Sequence, residues 1–507
     1  MKSNTFGSDL KAGVVVFLVA LPLCLGIAMA CNVPLFSGII SGVIGGILVS
    51  ILSGARYSVS GPAAGLTSIV ISAIATLGSY EIFLAAVVFA GIIQILLGLL
   101  KAGGLGNYIP NAVIKGMLAG IGIILIIKQI PHLFGYDKDP EGDMEFFQLD
   151  GENSFTELVH MINFITPGSL LIGIISFALL IICGKSFYKD HKIFTNLPAP
   201  LLVVIVGILL TIAFRSSVFL QIESQHLVSL PEIKDFGDLR ANLAFPDFSF
   251  MGNVKFWTIA LTIGLVASIE TLLNIEATDK LDPDKNETNS NRELFAQGAG
   301  NILAGLVGGL PVTSVIVRSS ANINSGAKTK LSIIIHALLL LISVIAFPGL
   351  LSLIPNSALA AILIVTGFKL TKIPIFKEQF KSGLEQFLPF VITIIVMLLT
   401  DLLKGVGAGI LISVFFIIRD NIKFSFESSS DTIDGKLYYL LKLPQHVTFF
   451  NKGYLIRFFE KIKPHSKLII DGSINKKINR DAKDVISDFI STAKHKQIEV
   501  ELIKYND

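Results

Sequence analysis

Two short stretches interrupt long apolar runs with residue types that break helices: SVSGPAAGLTSIV, Ser58 to Val70, and GLPVTSVIVRSSANINSG, Gly309 to Gly326. In the first, Ser58-Val59-Ser60 alternates small and β-branched residues and predicts extended backbone. Pro62 is suited to the first turn of a helix, where its missing N–H loses nothing. Ala63, Ala64 and Gly65 leave space at that helix start, and a helix from there to about Leu77 is too short to cross a bilayer. In the second, Val315-Ile316-Val317 favours extension, Ser319 and Ser320 are placed to satisfy free N–H groups at a helix start, and Gly326 is placed to end the helix. A helix N-terminus carries about half a positive charge and unpaired N–H donors. Two of them aimed at one hollow make an anion site without a dedicated side chain, and Arg318 adds a full positive charge. The competing reading of each break is a kinked structural helix; two matched breaks and an arginine favour the anion site.

A counter-charge lies in GLVASIETLLNIEATDKLDP, where Glu270 sits well inside an apolar run and Asn274 follows four residues on, on the same helical face. A carboxylate at membrane depth is a functional candidate. Glu270 could take up a proton or Na⁺ and couple cation to anion movement, or neutralise Arg318, and the two roles are compatible. Lys115 and Lys128 lie near segment ends and are expected to snorkel to the interface. Glu276 and Asp279 are read as inner-interface residues, His132 and His336 as structural. Cys24, Cys31 and Cys183 lie in or beside apolar segments; they show neither metal spacing nor a disulfide framework and read as packing residues.

The elements that must position these residues are membrane segments. Of 507 residues, 52% are hydrophobic and only 16% charged, against roughly 25% charged in soluble domains. Fourteen apolar segments are expected, at about 12–30, 35–54, 61–77, 82–100, 109–130, 166–183, 199–220, 255–275, 294–309, 317–326, 331–347, 355–369, 385–400 and 403–419. The tenth is too short and polar to cross alone. The polar lead MKSNTFGSDLKAG precedes an apolar run longer than a signal peptide's, which is kept as mature structure. With the N-terminus inside, the inner loops hold Arg56, Lys101, Lys185, Lys189, Lys192, Lys280, Lys285, Arg292, Lys328, Lys330, Lys369, Lys372, Lys377 and Lys381. The outer loops hold Lys138, Lys234, Arg240 and Lys404, with an acidic stretch from Asp137 to Glu157. This asymmetry is the positive-inside pattern.

The breaks fall third of seven in each half, so an inverted repeat is expected, with the two half-helices meeting tip to tip near the midplane. A net charge of +3, carried by loop residues, gives no nucleic-acid footprint. The membrane segments offer no metal cluster or nucleophile–base pair, which argues against an enzyme. After Arg419 the hydropathy collapses. KLYYLLKL, HSKLIIDGS and QIEVELIKY read as strands and RDAKDVISDFISTAKHK as an amphipathic helix, so residues 430–507 are expected to form a small cytoplasmic α/β or mixed domain.

Taken together, DLKAGVVVFLVALPLCLGIAMA, LSGARYSVSGPAAGLT, NRELFAQGAGNILAGLVGGLP, VRSSANINSGAKTKLS and the C-terminal region resemble the SulP family of inorganic-anion transporters over nearly the whole chain. The resemblance implies an all-α polytopic protein of 14 segments in a 7+7 inverted repeat, with core and gate domains and half-helices at segments 3 and 10. It implies a transporter domain over 1–425, with repeats at about 10–220 and 250–420, and a cytoplasmic STAS-like domain over 430–507. It also implies a homodimer and elevator-like movement of the core.

Carried over by resemblance, the anion site takes Leu23 and Ile27 from segment one, Ala63 from segment three, and Ile316, Val317 and Arg318 before segment ten. Ala64, Ser314 and Val315 flank the same breaks and complete the candidate set. Glu270 matches the acidic residue of the Na⁺ site in bicarbonate-carrying members, with Asn274 four residues on. Leu23 stands where many members have glutamine, which removes a polar anion contact, and the rest of segment one is similar to members sometimes fused to carbonic anhydrase. LIIDGSINKKINRDAKDV lacks the Asp-Ser-Ser-Gly type phosphorylation motif. The expected function is secondary active transport of a small inorganic anion, bicarbonate favoured, coupled to Na⁺ or H⁺, with no further cofactor, in the inner (plasma) membrane with both termini cytoplasmic. The alternatives are a sulfate permease working by H⁺ symport or exchange, and an uncoupled anion channel. Nucleobase permeases share the outline, but their substrates need polar groups that recognise a ring.

Overall fold

The computed structural model describes residues 3–138, 146, 153–184, 198–228, 243–424, 426–433 and 435–505. Lys185, Lys189, Lys192, Lys234, Arg240 and most of the acidic stretch lie outside them. The chain divides into two compact units, 1–409 and 410–507.

The first half of the membrane unit contains α1 (Ser3–Ala30), α2 (Leu35–Ile44), β1 (Ser60–Pro62), α3 (Thr67–Leu77), α4 (Tyr80–Leu99), α5 (Asn111–Phe134), α6 (Pro167–Gly184) and α7 (Ala199–Phe214). The second half contains α8 (Val254–Leu281), α9 (Ser290–Val307), β2 (Val312–Ser314), α10 (Ile316–Asn324), α11 (Leu331–Ala346), α12 (Asn356–Leu370), α13 (Leu384–Leu399) and the start of α14 (Leu402–Phe424). Each expected apolar segment carries one of these helices. Among the described residues, seven helical spans are long and apolar enough to cross a bilayer, and α3, α7, α11 and α13 belong to shorter apolar helices. The short helix Ser154–His160 leads into α6 through a bend of 116°.

Two packing groups emerge. One consists of α1, α2, α4, α8, α9, α10 and α11; the other of α5, α6, α7, α12 and α13. In each, a pair of glycines lets two backbones touch. A side chain at Gly91 of α4 would lie 2.6 Å from the Gly298 carbonyl of α9, and one at Gly298 2.5 Å from the Gly91 carbonyl. Gly122 of α5 and Gly367 of α12 face each other in the same way, each 2.6 Å from the other's carbonyl. Helices in lipid associate by such close van der Waals contact, because hydrocarbon gives no hydrophobic drive between them. The half-helix α3 buries Val70, Ala73 and Leu77 in a cluster with Phe83, Ala86, Phe256 and Ala260.

In the second unit, β3 (Glu427–Ile433) pairs antiparallel with β4 (Lys436–Lys442). β4 pairs parallel with β5 (Lys467–Asp471), and β5 with β6 (Glu499–Ile503). Parallel neighbours need crossovers. Helix α15 (Lys452–Glu460) lies in the first and α16 (Arg480–Ala493) in the second. Alternation puts Leu441, Leu468 and Ile470 inside, against Ile486 and Phe489 of α16. Each strand and the helix expected after Arg419 is present, and the small α/β region fits a STAS-like domain.

Candidate anion site between two half-helices

The site begins with strand pairing. β1 and β2 run antiparallel, with Ser60 opposite Ser314, Gly61 opposite Thr313 and Pro62 opposite Val312. The pairing continues at both ends, where the Val315 N–H donates to Val59 O at 2.9 Å and the Ala63 N–H to Pro311 O at 3.2 Å. Side chains satisfy what the two-stranded ribbon leaves open. Asn301 accepts from the Val312 N–H at 2.5 Å and donates to the Val312 carbonyl at 2.9 Å. Ser58 and Ser314 hydroxyls meet at 2.6 Å, and Gln297 donates to Ser60 Oγ at 2.7 Å. Gln297 also donates to the fully buried Glu293, which accepts from Ser53 Oγ. Unpaired backbone at this depth is costly, so a strand pair closed by buried amides is what lets the helices break here.

The helices then start from this ribbon, though not where the local pattern places them. Pro62 ends β1 and is not in a helical turn; a 3₁₀ turn over Ala64–Leu66 leads into α3. Pairing to Val312 holds Pro62 extended, a long-range constraint that local preference does not contain. Likewise only Val315 of the β-branched triplet is extended, while Ile316 and Val317 open α10. Ser319 and Ser320 do not cap it. Ser319 Oγ donates back to Val315 O at 2.8 Å and accepts the Val59 N–H at 2.9 Å, and Ser320 Oγ donates to Val317 O at 2.8 Å. The Ser319 N–H makes the first helical bond, to Val315 O, so the N–H groups of Ile316, Val317 and Arg318 have no partner within the helix. Gly326, at φ +83°, follows the end of α10 as expected.

Both helix starts border one cavity of about 80 Å³, ample for several waters at about 10–15 Å³ each. Its lining includes Leu23, Ile27, Ala64, Gly65, Glu270, Asn274 and Val315 to Arg318. Of the candidate residues, Ala63 and Ser314 do not line it; they are buried behind it in the ribbon. Glu270 is 5% exposed and its carboxylate faces the Gly65 N–H and the Thr313 hydroxyl. Asn274 donates to the Ser314 carbonyl at 2.7 Å. Glu270 Oε2 and Asn274 Oδ1 are buried without a hydrogen-bond partner. Arg318 is fully buried, and none of its three guanidinium nitrogens meets a hydrogen-bond acceptor. Its guanidinium lies against Gly61, with Gly42 and Cys24 close by. Cys24 therefore does more than fill space, since it is a polarisable neighbour of a buried cation.

The wall opposite was not legible. Ile121 and Ile124 of α5, Met397 of α13, Asp401 and Leu402 complete the lining. The isoleucines match every other apolar residue of their helix, but Asp401, a carboxylate between two apolar runs, was a usable signal. It caps α14, accepting the Lys404 N–H at 2.9 Å and pairing with Lys404 Nζ at 2.8 Å. Lys115 is half-exposed and pairs with Glu378 at 2.8 Å. Lys128 does not snorkel; it is buried at 5% exposure within α5. His132 and His226 instead form a buried cluster, each Nδ1 lying 2.6 Å from an oxygen of Asp137. Among the described residues no group of three or more His, Cys, Asp or Glu could hold a metal ion.

A break in two matching segments, joined by a strand pair over one cavity, defines a membrane transporter built on paired half-helices. Residues 6–396 match the Sulfate permease family, and the chain belongs to it. It is 27% identical over 417 residues to a "Putative sulfate transporter YvdB" of Bacillus subtilis, covering 82% of this chain and 74% of that one. It is 27% identical over 419 residues to the "Bicarbonate transporter BicA" of Picosynechococcus, covering 80% and 69%. Its fold is that of the transmembrane domain of a cyanobacterial BicA, with TM-score 0.57 and 24% identity over 80% of this chain and 99% of that one. It is likewise that of murine Slc26a9 in the inward-facing state, with TM-score 0.70 and 15% identity over 100% and 87%. The protein is thus a multi-pass membrane transporter.

Proposed function

We propose that the protein is a secondary active transporter of a small inorganic anion, bicarbonate favoured, coupled to Na⁺ or H⁺. The observation that carries this reading is the β1–β2 pair, which brings the starts of α3 and α10 to one cavity beside a buried, unpaired Arg318. Two helix N-termini and one guanidinium attract a negative solute into a space lined largely by aliphatic side chains. Glu270, with the unpartnered Asn274 oxygen and the Thr313 hydroxyl that faces it, suits a hard cation such as Na⁺, or a proton on the carboxylate itself. Loading that cation cancels the Glu270 charge, so the anion meets Arg318 without opposition. Cation and anion then move together.

The charge balance favours a monovalent anion. Among the described residues lining the cavity, Arg318 is the full cation and Glu270 opposes it, while Asp401 is paired with Lys404. Leu23 offers a doubly charged ion no polar contact. Sulfate remains the second reading, favoured by the name given to the Bacillus subtilis relative. An uncoupled channel is the third.

The antiparallel pairing of the two matching strands supports an inverted repeat, and the two packing groups support a core that slides as an elevator against a gate. We place the protein in the plasma membrane with both termini cytoplasmic, as a homodimer. The test is uptake of labelled sulfate and bicarbonate into proteoliposomes under imposed Na⁺ and pH gradients. Concentrative bicarbonate uptake driven by one gradient supports the reading; large uncoupled currents without accumulation would replace it with a channel.

A further inference from the structure

Gly61 has a role that strand pairing alone does not require. It sits mid-strand in β1, opposite Thr313, outside the left-handed region that calls for glycine. A side chain there would lie 2.2 Å from Arg318 Nη1 and 3.1 Å from Cζ. No backbone atom stands among these nearest neighbours; what fills the space of the missing side chain is the far end of Arg318. The seat continues at Gly42, where an added side chain would lie 2.7 Å from Cys24 Sγ and 3.9 Å from Arg318 Nη1. Arg318 itself is fully buried, with all three nitrogens lacking an acceptor. Apart from the Cys24 thiol beside it, this steric seat is what fixes where its charge sits.

We propose that Gly61 is a positioning residue for anion binding: its missing side chain is the seat of the Arg318 guanidinium. This rests on the reading of Arg318 as the cation of the anion site. A methyl group at 61 leaves the strand its backbone conformation and shifts the guanidinium by about 1 Å or more, enough to carry its hydrogen bonds to a bound anion beyond the usual range of about 2.7–3.2 Å. The cost therefore falls on anion affinity and not on the fold.

The experiment is a mutant cycle in proteoliposomes, with labelled bicarbonate and labelled sulfate uptake each measured as KM and kcat, and the thermal midpoint recorded for each protein. Gly61→Ala is expected to raise KM about tenfold or more, with a midpoint close to wild type. Added to Arg318→Ala it should change KM no further, and added to Arg318→Lys, whose compact ammonium lacks the forked tip, it should cost far less than in wild type. Independent, additive losses in both backgrounds overturn the proposal. Should Gly61→Ala alone misfold, the Arg318→Ala background removes the clash and is expected to restore folding; misfolding there as well overturns it. An unchanged KM in Arg318→Ala refutes the underlying reading of Arg318, an outcome distinct from additivity.

Discussion

Arg318 presents the sharpest energetic problem in the protein: a charge at 0% exposure with no hydrogen-bond acceptor. A buried charge without a partner is costly, and leaving a donor unpaired costs about 1–3 kcal/mol, more for an ion. A bound anion offsets that cost, so Arg318→Ala is expected to weaken anion binding about tenfold to a hundredfold, read as KM for uptake. Unchanged affinity and selectivity would remove Arg318 from the site. Glu270→Gln keeps shape and removes the titrating charge; it is expected to abolish gradient-driven uptake, and full concentrative uptake would show that coupling lies elsewhere. Asp137 supplies a third test. Burial pushes its carboxyl up, but the hydrogen bonds from His132 and His226 outweigh this and hold it below the ordinary 3.8. Its stabilisation is therefore present above the ordinary carboxylate value and is lost as pH falls through the lower folded one. Asp137→Asn should lower the thermal midpoint at neutral pH, by an amount worth about 1–3 kcal/mol, and the gap to wild type should close only below about pH 4. At this scale the sequence exposed Arg318 and Glu270 because charge amid apolar residues is conspicuous, whereas Ile121, Ile124 and Gly61 look like their neighbours until the fold brings them to the cavity.

Among the elements, the ribbon of β1 and β2 is what makes two broken helices tolerable. The turn that follows α2 approaches it closely. Gly45 lies in a π-helical turn, Gly45–Val49, and a side chain there would lie 2.3 Å from the Ser60 carbonyl, a backbone atom that cannot step aside. Gly45→Ala is therefore expected to lower both the thermal midpoint and uptake, in contrast to Gly61→Ala, where only a flexible side-chain tip stands in the way. A midpoint equal to wild type would mean that α2 and β1 part more easily than their contact implies. Both breaks were legible from Gly, Pro and Ser in apolar runs. Their internal boundaries were not, because the strand pairing that holds Pro62 extended joins residues some 250 positions apart. The C-terminal strands and helix followed their local periodicity closely, since each is amphipathic about a small core.

For the whole molecule, the membrane unit separates into two packing groups that meet around the cavity, with Leu23, Gly65, Glu270 and Arg318 from one and Ile121, Ile124 and Met397 from the other. A solute bound by the first group and covered by the second is what alternating access by sliding requires. The most direct measurement is an experimental structure determined with bicarbonate and, separately, with selenate as a heavy sulfate analogue. The expected result is anion density in the cavity, within hydrogen-bond reach of the backbone N–H groups of Ala64, Ile316 and Val317, and absent in Arg318→Ala. Density confined to sites outside the cavity, or a cavity holding only water with both anions, would contradict it.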